Sequence, residues 1–448
     1  MTARSEGSFI PDRLRTVLDL SLPIVGGMAS QNVLNLVDIA MVGALGPAAL
    51  AAVGLGSFAN FMAMALVMGL SSGVQAMAAR RKGEGRESEM AVALNGGLVL
   101  AILIGLPALV VLLWLAPSLY ALLIDDPAVI AEGVPYFEAR LCGIFAIGVN
   151  FAFRGFWNGI SLSRVYLRVV LIMHISNVPI SYVLIFGLFD WPGLGTVGAG
   201  IGTTVALYIG SACYIWVGVR RARPFGFLRG LPDIDTMATM LRLALPASLQ
   251  MFLFATGITV LFWIIGQVGT IEVAAANVMI NLLLVAYLPG NGLGLAAASL
   301  VGQALGRGDS EDAHRWGWDV VKLGVAMMGM LGLLGIAFPS LLLSGFLHDP
   351  AVIAGAKIPL QLVGASMVWE AVTLVLMNAL LGAGAARQVM IISVGTQWLL
   401  GLPLSWLAGP HLGYGLLGIW VCQVGYRALQ AGIFAVMWNQ RGWAKIEV

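Results

Sequence analysis

Residues 39–79 read IAMVGALGPAALAAVGLGSFANFMAMALVMGLSSGVQAMAA, and none of them is charged. A helix crosses the hydrocarbon core of a bilayer in about 20 apolar residues. The stretch therefore holds the end of one membrane span and the whole of a second, joined by a Gly/Ala/Pro turn at 43–49. Working outward, 90–124 and 388–426 are also free of charge. The apolar blocks are solid rather than alternating, which excludes the strands of a membrane barrel. Over all 448 residues only 10% are Asp, Glu, Lys or Arg, against about 25% in a soluble domain. That composition rules out a soluble enzyme, a disordered chain and a nucleic-acid binder. The net charge of +2 leaves no basic patch for phosphates.

Apolar blocks between charges and Gly/Pro turns predict twelve helices, at roughly 15–42, 50–79, 91–120, 134–160, 165–189, 196–220, 237–267, 273–304, 318–346, 356–383, 388–408 and 412–440. Loops on the side that holds the N-terminus carry twenty Arg and Lys, beginning with Arg4, Arg13 and Arg15; the opposite loops carry Arg140 and Lys357. The positive-inside rule then puts both termini in the cytoplasm of an inner-membrane protein. No cleavable signal is expected before the first span, because its apolar run extends far past a signal-peptide core.

The chain repeats at an offset of 223 residues: Asp126-Pro127-Ala128-Val129-Ile130 returns as Asp349-Pro350-Ala351-Val352-Ile353, and Leu20-Ser21-Leu22-Pro23 as Leu243-Ala244-Leu245-Pro246. Each half holds six spans, so both insert in the same sense, related by an axis along the membrane normal. The expected fold is an all-α polytopic membrane protein, two parallel-repeat six-helix lobes (1–220 and 237–448) around a central cleft, with a cytoplasmic linker at 221–236. Duplicated halves around a cleft suit a transporter that alternates access.

Two acids fall inside spans, Asp38 and Glu370. An ionised carboxylate there costs about 2.5–3.5 kcal/mol even on insertion scales, so it lines a cavity, pairs with a cation or carries a proton. Gln31, Asn35 and Asp38 form one polar stripe at helical spacing. His174, Asn177 and Ser181 form a second beside Pro179, and Ser366, Glu370 and Thr373 a third. Asp38 and Glu370 are the candidate coupling sites, and the stripes are the candidate substrate or ion cavity, joined by Asn277 and Asn281. The bland alternative, polar residues gluing helices together, stands beside each. The acids are not duplicated: their repeat positions hold Leu261 and Ile147. Arg154 and Arg427 also lie within spans and read as structural, with Arg154 near enough to the cytoplasmic end to snorkel. Phe254, Met251, Met279 and Trp263 offer a soft apolar wall, although such residues are usually core or lipid-facing.

Other matches carry no chemistry. Gly69-Leu70-Ser71-Ser72-Gly73 fits G-x-S-x-G but follows no strand. Gly193 to Gly198 fits G-x-G-x-x-G but follows a span and lacks the acidic residue about 20 positions on. Cys142, Cys213 and Cys422 form no CxxC pair. No P-loop motif occurs, so the energy source is an ion gradient, and no cofactor, metal or enzymatic activity is expected.

Val37-Asp38-Ile39-Ala40-Met41-Val42-Gly43, Phe153-Arg154-Gly155, Val301-Gly302-Gln303-Ala304-Leu305-Gly306 and Leu380-Leu381-Gly382-Ala383-Gly384, in that order, resemble the multidrug and toxic compound extrusion family over essentially the whole chain. The resemblance implies two six-helix lobes that exchange organic cations and other amphipathic compounds for protons or sodium ions. It places the span-1 acid on Asp38 and the span-10 acid on Glu370. Asn177 matches the DinF-like branch, whose second position is Ser181 here, and the span-7 glutamate of the NorM-like branch falls on Phe254. A lone Asp with amide neighbours suits a proton better than sodium, which wants several oxygen ligands. The expected partners are small amphipathic substrates and membrane lipids, with no nucleic acid, for a monomer. The alternative, a flippase for lipids or lipid-linked precursors, would need a basic cavity for phosphates, for which only Arg154 and Arg427 are available.

Overall fold

The computed structural model describes residues 11–347 and 349–448; Arg4 and His348 lie outside them. Sixteen α-helices follow one another, and no strand occurs among the described residues. They are α1 (Pro11–Gly43), α2 (Pro47–Met68), α3 (Leu70–Gly83), α4 (Val92–Leu123), α5 (Pro127–Leu141), α6 (Ile144–Gly159), α7 (Ser163–Phe186), α8 (Gly195–Arg221), α9 (Ile234–Gly266), α10 (Thr270–Gly306), α11 (Ser310–Ala337), α12 (Pro339–Ser344), α13 (Pro350–Gly382), α14 (Ala386–Thr396), α15 (Leu402–Trp406) and α16 (Gly415–Gln440). Among the described residues, ten helical stretches are long and apolar enough to cross a membrane, and the bent pair α5–α6 makes eleven. The remaining long helix is α1, whose 33 residues would span a bilayer at 1.5 Å each; its polar stripe and charged first turns dilute its apolar character.

The breaks have local causes. The duplicated Asp-Pro is a helix start: Asp126 Oδ1 accepts the Ala128 amide at 2.9 Å, and proline at the first helical position loses no hydrogen bond. The same pair opens α13. Pro339 starts α12 after α11 ends at Ala337. The span expected at 388–408 is α14 and α15 interleaved with π-helical turns at Gln397–Gly401 and Leu407–His411.

The contacts divide the chain into two units: Gly26–Phe252, and the residues up to Val25 with Leu253–Val448. In the first unit α6 is the central helix, packed on α3, α4, α2 and α8. In the second, α13 plays that part, packed on α10, α11 and α16. Leu103, Leu106, Val110 and Trp114 of α4 are exposed, the inversion expected where lipid is the solvent.

The boundaries cut through α1 and α9, which the repeat relates. The first half of α1 belongs with the C-terminal helices: Arg13 meets Asp312 at 2.7 Å and Asp319 at 2.8 Å and lies over the Trp316 ring. The first half of α9 belongs with the N-terminal ones: the Ser248 hydroxyl donates to Leu66 O at 3.0 Å and accepts the Gly69 amide at 3.1 Å. Both seats are glycines 223 positions apart. Gly69 faces Ala244 and Ser248; Gly292 faces Ser21 and Val25, the repeat equivalents of that pair. A Cβ at Gly69 would collide with the backbone oxygen of Ala244, whereas at Gly292 the first obstacle is a methyl of Val25. Gly69→Ala should therefore destabilise by about 1–3 kcal/mol and Gly292→Ala by less. Thermal unfolding of the two variants checks this; equal midpoints for both would refute the close seat at Gly69.

The segment between α8 and α9 is pinned rather than loose. Asn95 of α4, 4% exposed, donates to Gly226 O at 3.1 Å and Gly230 O at 2.9 Å and accepts the Leu228 amide at 3.1 Å. The Asp233 carboxyl at its end is held below the usual carboxylate range by hydrogen bonds from Thr236, side chain first and then backbone.

Candidate functional site

In the N-terminal unit, the stripe on α1 meets α7. The Ser30 hydroxyl lies 2.8 Å from His174 Nδ1, His174 Nε2 lies 3.0 Å from Gln31 Oε1, and Gln31 Nε2 donates to Asn35 Oδ1 at 3.0 Å. Gln31 Oε1 can only accept, so Nε2 carries the ring proton and Ser30 donates to Nδ1. Ser30 also reaches Gly27 O at 2.9 Å. A second proton on His174 would turn Ser30 toward that carbonyl without breaking the chain of contacts.

Asp38 lies in the same stripe, five residues before the end of α1. It is half-buried, and its Oδ1 is shielded from solvent without a hydrogen-bond partner. The charge acting on it is Arg140, at the end of α5. A carboxylate oxygen without a donor strongly prefers protonation or a cation. Asn177, fully buried, accepts from Ser181 Oγ at 3.2 Å, and its Nδ2 has no partner. Arg154 Nε donates to Ser71 Oγ at 3.1 Å and its guanidinium lies over Phe151.

In the C-terminal unit, Glu370 is 2% exposed. Its Oε1 lies 3.5 Å from Arg427 Nε of α16, while Oε2 is buried without a hydrogen-bond partner. Arg427 donates to Gln430 Oε1 at 3.3 Å and lies over the rings of Tyr426 and Phe254. The pair lines a cavity of about 60 Å³ with Ser366, Gln397, Gln423 and Tyr287. Gln397, at the first π turn, reaches Phe254 O at 3.4 Å. Of the third stripe, Ser366 and Glu370 line the cavity, whereas Thr373 bonds back to Trp369 O at 2.9 Å. Asn281 donates to Asn277, and both are exposed, outside the cavity lining. Of the apolar wall, Phe254 lines the cavity, Met279 is fully buried, and Met251 and Trp263 are exposed. Leu261 and Ile147, the repeat partners of Asp38 and Glu370, are buried core residues, so each acid occupies a position the other half fills with an aliphatic side chain. Sequence reasoning missed Ser30, Tyr287 and Gln397 and read Arg427 as structural; only its depth within a span marked it.

This helical duplication matches the family model MatE at residues 23–183 and again at 246–407, segments that begin 223 residues apart. The chain belongs to the MatE family. It is 29% identical to the multidrug resistance protein NorM of Burkholderia vietnamiensis, covering 90% of this chain and 88% of that one. It is 27% identical to the probable multidrug resistance protein NorM of Rhizobium meliloti (strain 1021), over 93% and 91%. Its fold matches a structure of a multidrug resistance MATE family transporter in an outward-facing conformation, with a TM-score of 0.89 at 20% identity and 97% coverage of both chains. The protein is a multi-span membrane transporter of the two-lobe fold.

Proposed function

We propose that the chain is a secondary antiporter that exports amphipathic, often cationic compounds in exchange for protons, with Asp38 as the proton site. The observation that carries this is the buried Asp38 Oδ1, which no donor satisfies, on a helix whose neighbouring polar groups, Gln31 and Asn35, are already bonded to His174 and to each other. The names of the relatives support export of drugs. Sodium is the less suited ion, because the stripe offers one carboxylate and amide oxygens rather than a cage. Asp38 takes its proton from the outside face and loses its charge. The α1 helix then repacks near Pro23, and the affinity for a cationic substrate falls. The bodies that move are the two packed units, Gly26–Phe252 and the residues up to Val25 with Leu253–Val448, rather than the sequence halves 1–220 and 237–448; the protein sits in the inner membrane with both termini cytoplasmic and works as a monomer. Glu370, tied to Arg427, contributes to the substrate cavity.

The test is proton movement coupled to substrate. In proteoliposomes, adding a cationic amphiphile on the substrate side should move protons across the membrane at the same rate with and without sodium. Proton movement absent unless sodium is supplied would overturn proton coupling.

A further inference from the structure

The cavity lined by α9, α10, α13 and α16 contains both a buried acid and a buried base, and the two are poorly matched. A well-made Arg–carboxylate pair is bidentate at about 2.7–2.9 Å. Here a single Nε–Oε1 approach of 3.5 Å joins them, and Glu370 Oε2, in a residue 2% exposed, makes no hydrogen bond of good geometry, the Tyr287 hydroxyl being the neutral group that interacts with this carboxyl. Arg427 has partners besides the acid: its guanidinium lies over two aromatic rings and donates to Gln430. Its side chain retains 16% exposure, against 3% for Glu370, and both line the cavity. The space, about 60 Å³, holds roughly four waters. That is room for a head group, and the walls beside it, including Ile280, Leu283 and Trp420, are apolar.

We propose that this cavity is an anion subsite, in which Arg427 seats the carboxylate of an amphipathic compound after Glu370 has taken up a proton and released it. Charge must be conserved in a cavity of low dielectric. A buried guanidinium must keep one counter-ion, and a second carboxylate would leave an uncompensated negative charge. Glu370 gains one proton, its bond to Arg427 is lost, and the ligand's carboxylate replaces it, so the cavity's net charge is unchanged. The titratable groups facing Glu370 are Tyr287 from α10 and Tyr426 and Arg427 from α16. A tyrosine hydroxyl is a donor, so Tyr287, which lines the cavity beside Glu370, can donate to either carboxylate. The substrates then include compounds bearing a carboxylate, alone or beside a cation. This rests on the transport reading only in taking the occupant to be cargo.

The test is binding without any gradient, so its failure leaves the proton-antiport reading standing. Full-length protein in lipid nanodiscs is titrated calorimetrically with naphthaleneacetate, and with naphthylmethylammonium as its cationic counterpart. The acid should bind more tightly as the medium is acidified, with uptake of about one proton per ligand, read from the dependence of the heat on buffer ionisation. Glu370→Gln should bind it roughly tenfold or more tightly at neutral pH and lose the pH dependence. Arg427→Lys, which keeps the charge but not the fork, should bind it more weakly. Absence of naphthaleneacetate binding, proton release instead of uptake, or tighter binding of the ammonium by Glu370→Gln overturns the proposal. If Glu370→Gln does not fold, the proton count on the wild-type protein decides alone.

Discussion

Asp38→Asn protein, reconstituted in liposomes with an imposed pH gradient, should export substrate no faster than protein-free liposomes. Asparagine keeps the size of the side chain and one acceptor oxygen but removes the negative charge and the titrating proton. The fold should survive, because Asp38 makes no hydrogen bond through Oδ1 that the change would break. Removing a half-buried charge whose Oδ1 has no donor should leave thermal stability unchanged or higher. Substrate binding measured without a gradient should persist in weakened form, since a cationic compound loses a carboxylate but keeps the apolar walls. Asp38→Glu restores the titrating group at a displaced position and should recover part of the rate. Gradient-driven efflux by Asp38→Asn at the wild-type rate would eliminate Asp38 as the coupling group.

The second large effect concerns the ion pair in the C-terminal unit. Arg427→Met removes the counter-ion of a carboxylate that is 3% exposed. Leaving one partner of a buried pair uncompensated costs about 3–5 kcal/mol. Glu370→Gln in the same chain removes the orphaned charge and should return most of that stability, because an apolar or neutral replacement of both partners is often close to neutral. The readout is thermal unfolding in detergent of the two single variants and the double. If the double variant unfolds as early as Arg427→Met alone, the two side chains are not coupled, and the 3.5 Å approach has no energetic meaning.

The sequence carried the architecture because lipid imposes a strong rule: uncharged runs of the right length must be helices, and the 223-residue repeat must be two similar bundles. Broken spans were less legible. Gly69, Phe338 and the π turns near Gln397 and Leu407 interrupt stretches of uniform apolarity, and hydropathy has no sensitivity to local hydrogen-bond register. The half-and-half membership of α1 and α9 was invisible too, since contacts at Gly69 and Gly292 depend on packing, not composition. Within the site, helical spacing grouped Gln31 with Asn35 and Asn177 with Ser181. It had no means of pairing residues on different helices. That is why His174 with Ser30, and Glu370 with Arg427, emerge only in the folded structure. Asn277 and Asn281 share the spacing of a cavity stripe but bond to one another on an exposed face. Periodicity identifies a face without saying what covers it.

The most direct measurement is the proton stoichiometry of substrate binding. Purified protein in weakly buffered detergent solution, with a pH-sensitive dye, is mixed with a saturating cationic amphiphile. Competition at Asp38 predicts release of about one proton per substrate bound, and no release from Asp38→Asn. Equal proton release from both proteins would contradict it.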